Sequence, residues 1–84
     1  MKLHEQINGI KTKDDLADFV AALGADFAAD PGSWENPNLE RFLGAMEDWI
    51  RSMNHYYKNA GQVPHDQPTW KTLADILMAA KLYE

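Results

Sequence analysis

Leu16, Phe19, Val20, Leu23 and Phe27 recur three and four residues apart and fall within an arc of about 100° on a helical wheel. The spacing predicts an amphipathic helix over residues 13–29. Thr12 is placed to cap it, and Asp15, three residues on, completes a capping-box pattern while setting acid at the positive end of the helix dipole. Asp30-Pro31 stops it, because a residue before proline disfavours helical backbone. A longer pattern follows. Leu39, Phe42, Leu43, Met46, Trp49, Ile50, Met53 and Tyr57 share an arc of about 120° with no polar residue inside it, predicting a helix over 37–59. Asn36 reads as its N-cap, Pro37 as its first residue, and Asn59 and Gly61 as its stop.

The last helix, about 69–83 with Thr69 as cap, has a different texture. Trp70, Leu73, Ala74, Leu77 and Ala80 form one stripe, Ile76, Ala79 and Tyr83 a second side, and Met78 and Leu82 a third. A helix apolar nearly all round is buried on several sides. It is either the central element of the molecule or a face for another chain. At the N-terminus, Leu3, Ile7 and Ile10 suit a short helix, though an extended segment fits nearly as well. No alternating run suggests a strand. The expected fold class is all-α: a compact bundle of three main helices plus a short N-terminal one, in a single domain over 1–84.

Composition narrows the functional classes. Without cysteine there is neither a disulfide framework nor a thiolate site. No stretch approaches the roughly 20 apolar residues of a membrane span, and the opening residues lack a signal-peptide run, so a cytoplasmic protein is expected. Eight basic against thirteen acidic residues give a net charge of −5, which disfavours binding to phosphates and suits a basic protein partner.

Candidate chemistry is sparse. His4, His55 and His65 belong to separate segments and show no metal-ligand spacing. Glu47 and Asp48 sit on a polar helix face that offers no desolvated cleft to tune a general acid. Asp75, on the most apolar helix, is expected to pair with Lys71 or with an incoming arginine. No P-loop, dinucleotide fingerprint or nucleophile elbow occurs, so neither an enzyme nor a cofactor nor a metal is expected. Trp49 and Tyr57 fall in the core stripe. Trp34 is expected to fold over Phe42 or Met46, with a partner-facing position as the alternative. Glu35 alone has no evident local job, and Tyr56 lies at the stripe's edge. The candidate partner-binding residues are therefore Trp34, Glu35, Tyr56, Ile76 and Tyr83.

Trp34, Glu35, Asn36, Leu39, Phe42, Leu43 and Trp49, then Tyr56, Tyr57, Asn59 and Gly61, then Pro68, Trp70, Ala74, Asp75, Leu77, Tyr83 and Glu84 form a set that resembles a family of small bacterial proteins known as a domain of unknown function. The resemblance runs over about residues 12–84. It implies a standalone cytoplasmic bacterial protein and supplies no activity, cofactor or catalytic residue. The expected function is non-enzymatic protein binding, in a toxin-neutralising (immunity-like) or regulatory role. That role rests on analogy of size and charge. The alternative is a homodimer using the outer face of the last helix through Ile76, Ala79, Tyr83 and Leu82; a small metal protein or enzyme is the remote one.

Overall fold

Backbone amides at the start of a helix have no partners within it, and Thr12 and Asp15 supply them. In the computed structural model the Thr12 hydroxyl accepts from the Asp15 amide at 3.1 Å, and the Asp15 carboxylate accepts from the Lys11 and Thr12 amides at 3.0 and 3.2 Å. The structure describes residues 2–59, 61 and 68–83; the side chains of Tyr56 and Asn59 lie outside that description. Four helices result: α1 (Leu3–Ile7), α2 (Lys13–Ala29), α3 (Leu39–Asn59) and α4 (Trp70–Leu82), with a 3₁₀ turn (Pro31–Ser33) after α2. The all-α bundle is as expected, and no strand occurs among the described residues.

Thr69 caps α4 in the same reciprocal way, with Thr72 as its partner. Gly61, which follows α3, is the one residue with positive φ among those described, at 77°, a conformation that glycine adopts without steric penalty.

The start of α3 departs from expectation. The helix begins at Leu39, and its cap is Asn38, whose side-chain oxygen accepts from the Arg41 amide at 2.9 Å. Asn36 and Pro37 precede the helix. Pro37 holds Asn36 away from helical backbone, and the Asn36 side chain turns to the far end of α4. It donates to the carbonyls of Ala80 at 3.0 Å and Tyr83 at 2.7 Å, while its own amide donates to the Lys81 carbonyl at 3.2 Å. One residue thus serves three of the carbonyls that the end of a helix leaves without partners.

Of the two roles open to α4, the structure gives it the central one. It packs against α1, α2 and α3, whereas no close backbone approach joins α2 to α3 among the described residues. Ala74 and Ala80 are fully buried, small enough for neighbouring helices to come close. The core cluster gathers Ile7 and Ile10 from the N-terminal segment, Phe19 and Leu23 from α2, and Ala74 from α4. Leu3, Leu16, Trp34, Leu77 and Met78 pack around it. Burying a side chain such as Phe19, which is wholly inaccessible, contributes about 1.5–3 kcal/mol. Polar contacts show how the helices run: Tyr57 near the end of α3 donates to Asp75 in the first half of α4, and Asn36 before α3 meets the end of α4. The two helices are antiparallel.

The α3 stripe is only partly core. Tyr57 is buried and Trp49 half-buried, the latter edge-on to Tyr83 at 5.6 Å. Leu39, Leu43 and Ile50, expected inside, are 72%, 50% and 48% exposed. The apolar arc is wider than the single helix that covers it.

Candidate interaction groove

The gap between α2 and α3 forms a groove of about 450 Å³. Val20, Leu23, Gly24 and Phe27 line it from α2; Leu39 and Phe42 from α3; Leu77 of α4 lies beneath. Trp34, Asn36, Pro37 and Asn38 close one end. No charged side chain lines it. Val20, expected in the core, is 48% exposed here. A separate recess of about 420 Å³, bounded by Leu43, Met46, Glu47, Ile50 and Arg51, borders α3 further along. Glu47 and Arg51 are paired at 2.9 Å.

Gly24 is an anomaly in this wall. Glycine inside a helix costs about 0.5–1 kcal/mol relative to alanine. A Cβ at Gly24 would meet nothing within 4 Å. Contacts among the described residues therefore give no reason for a glycine at this point.

Trp34 closes the groove because three helices hold it. Its ring stacks on Phe42 of α3 (centroids 6.0 Å apart) and lies edge-on to Phe27 of α2 at 5.2 Å. Its Nε1–H donates to Asp26 Oδ2 at 2.8 Å. The same oxygen accepts from Lys81 Nζ of α4 at 2.9 Å, and that ammonium lies 5.5 Å from the Trp34 ring centroid. Lys81 is thus buried with its charge answered. Sequence reading left Asp26 and Lys81 unremarked; the only available signal was a lysine on the otherwise apolar stripe of α4.

Lys81 first, then Trp34, hold the Asp26 carboxyl below the usual carboxylate range. Hydrogen bonds from the Lys11 and Thr12 amides do the same for Asp15. In the unfolded chain both groups protonate near pH ~3.9. The folded state binds fewer protons as pH falls through this region, so the stability they contribute is present above it and lost as pH drops through the lower folded values. Thermal melts should therefore fall between pH 5 and pH 2, and Asp26→Asn should flatten part of that slope. An Asp26→Asn protein with the full wild-type slope would discount the Asp26 contribution.

The other candidate residues are dispersed. Glu35 is exposed, with Arg41 Nη2 at 3.8 Å. Tyr83 follows the last turn of α4, its hydroxyl 3.4 Å from that of Ser52. Ile76 is buried, at 9% exposure, on the helix against which α1, α2 and α3 all pack. The Tyr56 side chain lies outside the described residues, as do Glu84 and the loop with His65. Trp34 alone belongs to the groove. Asp75 pairs with Lys71 at 3.4 Å as expected, and it also accepts from the Tyr57 hydroxyl at 3.0 Å. Among the described residues no three His, Asp or Glu side chains converge as metal ligands, and no helix is long and apolar enough to cross a membrane.

A family model described as a family of unknown function (DUF7660) matches residues 12–84. No curated protein and no solved structure matches the chain.

Proposed function

We propose that this chain, which belongs to the DUF7660 family of unknown function, is a non-enzymatic protein-interaction module that docks a partner in the groove between α2 and α3. It acts in the bacterial cytoplasm, in a toxin-neutralising or regulatory role. The observation that carries this reading is the groove's surface. It is a concave wall lined by no charged side chain, with Val20 48% and Leu39 72% exposed, at a point where the described residues place no helix. Apolar patches rimmed by polar residues on a small protein mark sites of association. Trp34, anchored from three sides, gives the groove a rigid end, and rigid aromatic anchors are characteristic of binding hot spots. The net charge of −5 favours a basic partner.

Leu39→Glu/Leu43→Glu tests this reading. Both side chains already meet water, so the variant should unfold within about 0.5 kcal/mol of wild type. Purified from its native source, the wild-type protein should bring down a stoichiometric partner that the variant loses. Recovery alone in every preparation, or a partner retained equally by the variant, would count against the groove.

A further inference from the structure

Resting on that docking reading, we infer that the occupant of the groove is an amphipathic α-helix from a basic partner, of three turns or more. Its apolar face meets Val20, Leu39 and Leu43, its backbone passes close to Gly24, and its Lys or Arg edge lies along Glu40 and Glu47. Three features of the surface carry this.

Length comes first. Leu39 in the groove and Leu43 and Ile50 in the recess beside it repeat at intervals of four and seven residues along α3, a seam of roughly 16 Å at 1.5 Å per residue. That is three helical turns, the footprint of a helix laid in a groove. The second feature is Gly24, where an absent side chain leaves space that none of the described residues uses. Helices come closest where one of them presents glycine or alanine, and Ala17, Ala21 and Ala28 flank Gly24 on the exposed side of α2.

Charge selects the partner. On the helical wheel Glu40, Glu47, Arg51 and Lys58 lie along one edge of the seam. Glu47 is paired with Arg51 and Lys58 lies beyond Ile50, which leaves Glu40, with no ion pair among the described residues, as the free charge beside the groove. A second copy of this chain is the less suitable occupant. It would bring one chain of net charge −5 against another and set the same glutamate edge near itself. A helix with a basic edge does not meet this obstacle.

The test uses two designed helical peptides with the same leucine and alanine face, one with lysines along an edge and the other with glutamates there. Each is titrated into the whole protein by NMR. The lysine peptide is expected to shift Val20, Gly24, Leu39 and Leu43 selectively and to bind at least tenfold tighter, an advantage that shrinks with added salt. Gly24→Ala should raise the melting temperature by about 3–6 °C through helix propensity, yet weaken lysine-peptide binding at least tenfold. Gly44→Ala is the control. A Cβ there also meets nothing, and the residue lies outside the groove. It should raise the melting temperature similarly and leave binding intact. Equal binding of both peptides, shifts outside the groove, no shifts with either peptide, or a Gly24→Ala variant that binds normally would each overturn the inference. Sedimentation of the protein alone separates the two levels. A dimer abolished by Leu43→Glu assigns the groove to a second copy, overturning the helical occupant but leaving a docking groove. No dimer, no groove shifts and no groove-dependent partner would overturn both.

Discussion

Asn36→Ala is expected to destabilise the protein by about 2–4 kcal/mol, because two hydrogen bonds are lost and two carbonyl oxygens are stranded. The Asn36 side chain is 7% exposed, and both of its donors are used, on Ala80 at 3.0 Å and Tyr83 at 2.7 Å. Water has little room to replace them. These oxygens belong to the C-terminal end of α4, the negative end of the central helix, where donors are favoured. Asn36→Asp separates hydrogen bonding from volume. The carboxylate has nearly the same shape, but it cannot donate and faces carbonyl oxygens. It should be at least as damaging as alanine. Urea unfolding with an unchanged m-value measures both variants. An Asn36→Asp protein within about 0.5 kcal/mol of wild type would show that this bridge contributes little.

Asn36 also shows what periodicity and propensity do not reveal. Asn36 and Asn38 flank a proline just ahead of an apolar run, and either has the composition of an N-cap. Local preference does not choose between them. The choice is made 44 and 47 residues away, at carbonyls that only one of the two can reach once the helices are folded. By contrast, the starts of α2 and α4 were legible because the Thr12 and Thr69 caps are completed within four residues. The place of α4 was narrowed but not decided, because a helix apolar on several sides suits both a central element and a face for another chain.

The groove was half legible. Residues 39–57 announce a common face through their spacing, but the same spacing arises whether a face meets the protein's own interior or another molecule. Which part is covered depends on how far α3 departs from α2 and on the one helix that fills the space between, both of which are tertiary facts. The burial of Ile76 was hidden for the same reason: its helix has more neighbours than a wheel can show. Gly24 carried a sequence signal, a glycine inside an otherwise good helix former. Its meaning needed the distances that show empty space beside it.

Trp34→Ala should have the largest effect of any single substitution at the groove, a loss of about 3–5 kcal/mol, the usual range for a large aromatic truncated in a packed site. The ring is the piece that joins α2 to α3, which make no close backbone approach of their own among the described residues. Its removal takes away the edge contact with Phe27, the stack on Phe42 and the hydrogen bond to Asp26, and it uncovers one side of the Lys81 ammonium. Trp34→Phe divides these contributions. A phenyl ring keeps part of the stacking but has no N–H, so Asp26 retains Lys81 and loses one of the two donors that hold its titration down. Trp34→Phe should therefore be milder in urea, and its Asp26 carboxyl, followed by NMR, should titrate at higher pH than in the wild type. Both variants should also weaken lysine-peptide binding, since the closed end of the groove becomes shallower or softer. A Trp34→Ala protein that unfolds within about 1 kcal/mol of wild type would place the ring outside the set of contacts that hold the helices together, leaving it as an anchor for the partner alone.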